Sequence, residues 1–309
     1  MTAKGDQKND LSVAVLGVHQ RFPSRFSYDH IVFGTIAALT VAFLVGIFVF
    51  LLTIGAGVFR HVSWQEFFWS SNWNPTAFVT PAWGIGALFT STLIVTGLTV
   101  AISFPLGFAI ALYLSHIAPR SVRECLKPTI EMIASIPSVV LGLLGILFVA
   151  PLVARVFGLS NGLNALTAAL MVAIAALPTI ASICEDALGS VPRRYEEASF
   201  ALGASHWQTI RRVMIPAARS GLLAALILGL GRIIGETMIV LMVAGNSRAL
   251  PQGILDPVRP MTATIAIEIK EVVIGSVHWQ GLFAIGLILF VVTFVINFIA
   301  DLLIRRHRV

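Results

Sequence analysis

Residues 219–245 read RSGLLAALILGLGRIIGETMIVLMVAG, an apolar stretch whose only ionisable side chains are Arg219, Arg232 and Glu236. A helix rises about 1.5 Å per residue, so a stretch of this length covers the roughly 30 Å of a bilayer's hydrocarbon core. Arg232 follows Arg219 by 13 residues, about 20 Å of helix, which puts it near the midplane. A charge there costs at least about 2.5–3.5 kcal/mol on insertion scales, and it persists where it faces water or a partner group. Arg232 and Glu236 stand at i and i+4, so on a continuous helix they share one face, expected to be the bundle interior. Two readings follow. Either the pair neutralises itself and braces packing, or it lines a substrate route. In the second, the guanidinium offers charge-assisted hydrogen bonds to an oxyanion, Glu236 restrains affinity so that the ion can leave, and Thr237 adds a hydroxyl.

Five further apolar blocks accompany this one, giving spans at about 31–55, 84–114, 130–152, 163–187, 219–245 and 279–303. Of the 309 residues, 57% are hydrophobic and 12% charged, too few charges to coat a soluble surface of that size. The expected architecture is therefore an all-α polytopic membrane protein with six transmembrane helices. The net charge of +6 does not mark a nucleic-acid binder, because the basic residues sort by membrane side. With the N-terminus inside, Lys4, Lys8, Arg21, Arg25, Arg120, Arg123, Lys127, Arg193, Arg194, Arg211, Arg212, Arg219, Arg305, Arg306 and Arg308 are cytoplasmic. Arg60, Arg155, Arg248, Arg259 and Lys270 are outside and Arg232 is within a span, a positive-inside split of 15 to 5 that puts both termini in the cytoplasm. Residues 1–30 read as a cytoplasmic N-terminal segment and 31–309 as the transmembrane domain. The first apolar block is too long for a signal-peptide core and reads as an uncleaved span.

Between the spans, 56–83 is aromatic, with Trp64, Phe67, Phe68, Trp69, Trp73 and Trp83, and suits an external segment along the headgroup layer, as an anchor or as a docking surface. Pro119 and Pro128 bound a short basic loop, 115–129. Pro137 and Pro178 lie inside spans three and four, where a proline frees a carbonyl and permits a kink that faces protein or water rather than lipid. Residues 188–218 are rich in charge, and Phe200, Leu202, Trp207, Ile210, Val213 and Ile215 recur at helical spacing, as in short helices at the membrane surface that either face a partner or lie on lipid. The external stretch 246–278 contains a helical run from Thr262 to Val273 and is expected to form part of an outer vestibule or gate.

A pump needs an energy source, yet no lysine in the chain follows a glycine, so a phosphate-cradling G-x-x-x-x-G-K-[ST] loop is absent. Gly229, Gly231 and Gly235 are spaced G-x-G-x-x-x-G within an apolar helix rather than after a strand, which excludes a dinucleotide fingerprint. Gly231 and Gly235 read instead as a small-xxx-small face that admits a neighbouring helix. Cys125 and Cys184 sit near cytoplasmic helix ends without metal-ligand company, so neither a disulfide nor a metal site is expected. His61, His116, His206, His278 and His307 fall in loops or at helix edges, as solvated histidines do.

The segment Glu197-Ala198-Ser199-Phe-Ala-Leu202-Gly203, nine residues, then Val213-Met214-Ile215-Pro216 resembles the EAA loop of ABC importer permeases in its spacing. Ser199, Val213 and Ile215 depart mildly from that pattern. The run from Leu230 to Asn246, with its G-R-x-x-G-E-T, and Ile136-Pro-Ser-Val-Val-Leu-Gly142 resemble the phosphate-specific permeases, and the chain is identified as similar to their C-type (PstC) family over about 30–305. The resemblance implies the type I importer (MetI-like) fold and alternating access driven from outside the chain. It also implies a second permease of A type, two copies of a nucleotide-binding ATPase that holds the ATP and Mg, a periplasmic phosphate-binding protein, and no cofactor on this chain. By the same resemblance Glu197, Ala198, Gly203 and Pro216 belong to the ATPase-coupling loop, and Arg232 and Glu236 to phosphate passage. From the residues alone another tetrahedral oxyanion such as sulfate or molybdate stays open as cargo, as do a secondary transporter and a regulatory membrane subunit.

Overall fold

In the computed structural model of the chain the described residues are 28–306, so residues 1–27 of the expected N-terminal segment, with Lys4, Lys8, Arg21 and Arg25, lie outside them, as does Arg308. The chain divides into two units at Ile47 and Phe48. The described part of the first is the beginning of helix α1 (Tyr28–Gly55), which ends in the second. Every residue from Ile31 to Gly46 is exposed and nearly all are apolar, a surface suited to lipid.

The second unit continues through a 3-10 turn (Ala56–Arg60), α2 (Trp64–Trp69) and a two-stranded antiparallel hairpin, β1 (Trp73–Asn74) with β2 (Ala82–Trp83). Then follow α3 (Gly86–Leu112), α4 (Arg120–Ala134), α5 (Ser138–Leu144), α6 (Ala150–Phe157) and α7 (Ala165–Gly189). Next come α8 (Arg193–Ala201), α9 (His206–Thr209), α10 (Ile215–Ala217), α11 (Arg219–Gly235), α12 (Met238–Val243), α13 (Met261–Glu268) and α14 (Val277–Arg306). Three wide π-helical turns interrupt the order: Tyr113–Ile117 after α3, Gly145–Val149 between α5 and α6, and Ile210–Met214 between α9 and α10.

The core is built around α7. Thr99 on α3 donates to Ala169 O, and Gly107 lies against Ile180, so α3 and α7 run parallel. Gly221 lies against Ala187 and Gly229 against Ile180, so α11 runs antiparallel to α7. A Cβ on Gly229 would stand 2.7 Å from Ile180 Cγ1, which is why that position needs a glycine. Around Gly231 and Gly235 a Cβ would meet nothing within 4 Å. The close-approach glycines of this span are therefore Gly221 and Gly229, one helical face away from the expected Gly231 and Gly235, which look onto open space.

Among the described residues five helical stretches are long and apolar enough to cross a membrane: Ile31–Arg60, Gly86–Ile117, Ser138–Phe157, Ala165–Gly189 and Val277–Ile299. The sixth is broken. His206–Ala217 and Arg219–Gly235 meet at 67°, and α11 stops at Gly235 because Glu236 turns extended before α12 restarts. Expected spans and observed helices also differ at the third. The basic loop 115–129 is mostly the helix α4, which ends at Ala134, and the membrane-length helix begins at Ser138 rather than near 130. Pro137 sets that boundary, since it has no N–H to continue a helix and disfavours helical conformation in the residue before it. Pro178, by contrast, is carried inside the unbroken α7.

A second core joins the hairpin to α13 and α14, with Phe67, Trp73, Leu88, Met261, Leu282 and Ile285. The aromatic segment is thus divided: Trp64 and Trp69 are exposed, whereas Phe67 and Trp73 are fully buried. Trp73 is fixed there by Glu268, whose Oε2 accepts from its Nε1 at 3.0 Å and stands 2.8 Å from His278 Nε2. Arg259 Nη2 lies 3.0 Å from Glu268 Oε1, an ion pair whose N–H is not aligned for a hydrogen bond. His278 is therefore a packed member of a charged cluster, not a solvated edge residue. Burial pushes the Glu268 carboxyl up, but hydrogen bonds from His278 and Trp73 and the Arg259 charge outweigh it and hold the group below the usual carboxylate range.

Candidate functional site

Where α11 breaks, a cavity of about 430 Å³ opens, enough for a small ion with several waters at roughly 30 Å³ each. Ile133 and Ala134 at the end of α4, Ile136, Ser138 and Leu141 around the start of α5, and Ala175 of α7 line it. Gly231, Arg232, Gly235 and Glu236 at the helix break line it as well. A helix interruption at this depth leaves backbone groups without helical partners, tolerated where the chain lines a cavity.

Arg232 occupies the last turn of α11, where a cation complements the carbonyl end of the helix, and its side chain is exposed to the cavity. Glu236 is not one helical turn above it, because its φ and ψ of −69° and 121° take it out of the helix. Among the described residues no ion pair joins the two. Glu236 Oε1 instead accepts from Ile239 N at 3.3 Å, a bond to the first turn of α12, and its carbonyl accepts from Thr262 Oγ1 at 3.3 Å. Thr237 Oγ1 donates to Gly235 O at 3.2 Å and is not part of the cavity wall. Two of the three expected pathway residues are thus brought to one cavity, with neither charge spent on the other. The open neighbourhood of Gly231 and Gly235 belongs to the same cavity, so their small size clears space rather than packing a helix within this chain.

The second expected site, 188–218, is a compact helical hairpin. Its turn at Leu202–Ala204 is a Schellman motif: Gly203 N donates to Phe200 O at 2.9 Å and Ala204 N to Ser199 O at 3.2 Å. That closure needs Gly203 at φ +80°, where any Cβ is strained, although the surrounding space is empty. Ser205 and Gln208 cap the next helix reciprocally. Ser199 Oγ and Thr209 Oγ1 meet at 2.9 Å in the buried seam, so the serine in place of the second alanine pins α8 to α9. Glu197, Ala198, Gly203 and Pro216 are exposed, and Leu202 at 89% and Trp207 at 57% project an apolar surface beside them. Ile210 and Met214 point inward instead.

Beside the Glu268 cluster, sequence reading missed a second buried charged group. Glu185, near the end of α7, is buried, and its Oε1 accepts from Arg123 Nη2 at 2.8 Å while Lys127 Nζ stands 3.1 Å from Oε2. The available signal was an acidic residue at the cytoplasmic end of one expected span and a basic cluster between two others, opposite charges at the same expected depth.

Residues 103–309 match the family of binding-protein-dependent transport system inner membrane components. A probable ABC transporter permease, YqgH, of Bacillus subtilis is 37% identical over 275 residues, 88% of this chain and 89% of that protein. A phosphate transport system permease PstC of Mesorhizobium japonicum is 36% identical over 270 residues, 79% of this chain and 81% of its own length. Among solved structures, a chain of a bacterial alginate ABC transporter in complex with its alginate-bound periplasmic protein aligns with a TM-score of 0.60 at 16% identity, over 91% of this chain and 98% of that one. An inward-facing chain of the MetNI methionine ABC transporter aligns at 0.55 and 22% identity, over 73% and 95%. These two establish the ABC importer permease fold. The chain, a multi-pass protein of the inner membrane, belongs to the family of binding-protein-dependent transport system inner membrane components and is a relative of its PstC-type permeases.

Proposed function

We propose that this chain is the C-type permease subunit of an ATP-driven importer of inorganic phosphate and forms half of the translocation pathway by alternating access. The observation that carries this reading is Arg232, an uncompensated guanidinium facing a cavity at a helix break. Its fixed fork of donors suits two oxygens of a tetrahedral anion, and Glu236, lining the same cavity, keeps the site from holding a dianion too tightly. Thr237 is assigned to the pathway only as a flanking hydroxyl, exposed when the α11–α12 break rearranges.

In this reading the apolar exposed surface of α5 and the π-helical turn after it, with Val140, Leu143, Leu147 and Phe148, meets a second permease of A type, which closes the cavity. The hairpin 188–218 faces the cytoplasm with both chain termini and docks on one of the complex's two ATPase copies through Glu197, Ala198, Leu202 and Gly203, with Pro216 at its return to the membrane. ATP and Mg are held there and not on this chain. A periplasmic phosphate-binding protein delivers the ion to the opposite face. The support is the PstC-named relatives at 30% identity and above, together with the exposed EAA-like hairpin.

The deciding experiment is uptake of radiolabelled phosphate into vesicles holding the complete complex, with excess sulfate or molybdate as competitor. Phosphate uptake that depends on ATP and resists both competitors is expected. Uptake abolished by sulfate or molybdate, with no phosphate accumulated, reassigns the cargo, and uptake without any ATPase subunit overturns the importer reading.

A further inference from the structure

Helix α4 buries none of its residues, so apolar burial within the chain does little to hold it. What ties it to the bundle is the Glu185 carboxylate, 3% exposed, which takes Arg123 on one oxygen at 2.8 Å and Lys127 on the other at 3.1 Å. The two cations are four residues apart on one helix face, so a single carboxylate bridges both. A buried carboxylate with both oxygens engaged by cations is a directional joint, and neutralising it frees Arg123 and Lys127, both partly exposed, from α7.

The position of this joint gives it a use. Glu185 lies eight residues before Arg193, the first residue of α8 in the hairpin, and ten after Ala175, which lines the Arg232 cavity. Lys127 lies six residues before Ile133, which lines the same cavity from α4, a lever of about 9 Å of helix. Force applied at 193–203 reaches α7 directly, and Glu185 joins α7 to α4, which carries Ile133 and Ala134.

We infer that the Arg123–Glu185–Lys127 joint transmits movement of the coupling hairpin to the α4 wall of the anion cavity, with Glu185 as a positioning residue for transport. The inference rests on the reading of 188–218 as the ATPase-docking segment. Without the joint, ATP hydrolysis continues while the wall at Ile133 and Ala134 no longer follows it.

The test uses the complete complex in vesicles, with Ile133→Cys as a reporter in a Cys125→Ser background; Cys184 is buried and silent. Maleimide labelling of the reporter is compared with and without vanadate-trapped nucleotide, beside phosphate moved per ATP hydrolysed. With Glu185 intact, labelling depends on nucleotide. In Glu185→Gln that dependence is lost and transport per ATP falls about tenfold, within the range of coupling free energies, while a merely structural role lowers yield and leaves both ratios alone. The charge-reversed triple Glu185→Lys, Arg123→Glu, Lys127→Glu is expected to restore nucleotide dependence. Wild-type labelling behaviour and stoichiometry in Glu185→Gln overturn the inference, as does a reporter with Glu185 intact that ignores nucleotide. Should Glu185→Gln fail to assemble, Lys127→Gln, which keeps one ion pair, decides, and undiminished transport per ATP there overturns it. Copurification of the ATPase with the unaltered chain tests the docking assignment separately, so its failure is distinguishable from failure of the joint.

Discussion

Glu268 and Glu236 are both carboxylates near breaks between helices, and they are treated in opposite ways. Glu268 is buried and surrounded by Arg259, His278 and the Trp73 indole, drawn from three other parts of the chain. Glu236 faces a cavity and holds one backbone N–H, while the arginine four residues before it remains unpaired. A charge network closed on itself fixes geometry and leaves nothing for a ligand. A charge held in place by backbone but left uncompensated keeps its field for something that arrives. On the proposed reading the first region is scaffold and the second a place of passage.

The comparison breaks most visibly at Glu268. Glu268→Ala leaves the Arg259 guanidinium buried without a partner and is expected to cost about 3–5 kcal/mol, read as a lowered unfolding midpoint of the detergent-solubilised complex. Arg232→Gln should reverse the pattern: uptake falls roughly 10–150-fold, the value of hydrogen bonds to a charged group, with the yield of assembled complex kept. Uptake at the wild-type rate removes Arg232 from the pathway. Glu236→Gln keeps an acceptor for Ile239 N and removes the repulsion, so half-saturating phosphate should fall with maximal rate by about fivefold, near 1 kcal/mol. Unchanged values of both constants argue that Glu236 only caps α12. The smallest effect is with pH. Because the folded Glu268 carboxyl titrates below its unfolded value of about 4.3, its stabilisation is fully present above that value and is lost only as pH falls through the lower folded one. An unfolding midpoint that begins to drop near neutrality from loss of this group contradicts the assigned network.

Much of the membrane architecture was legible because it depends on composition over long windows: the apolar blocks are the helices, give or take their ends. The hairpin 188–218 was legible because its signal is local, a helix, a left-handed glycine and a second capped helix. What the sequence hid is where a helix stops. Arg232 and Glu236 share a face only on an unbroken helix, and the expected packing role of Gly231 and Gly235 assumed the same continuity. The charged joints were hidden for another reason: Trp73 and Glu268 are 195 residues apart, and Arg123 and Glu185 are 62 apart. Nothing local distinguishes a tryptophan of the headgroup belt from one buried against a distant carboxylate.

The three π-helical turns, at Tyr113–Ile117, Gly145–Val149 and Ile210–Met214, have a bearing on how such a chain tolerates changes of length. In a regular helix, removing one residue rotates everything beyond it by about 100° and turns a lipid-facing stripe toward the core. A wide turn already holds one residue more than its span requires, so losing that residue tightens the turn to ordinary α geometry and leaves the faces beyond it in register. Two of the three turns adjoin the parts proposed to pair with other subunits, α5–α6 and the hairpin 188–218. Single-residue deletions should therefore be absorbed there and rejected in α7, where every turn is tight and both sides are packed.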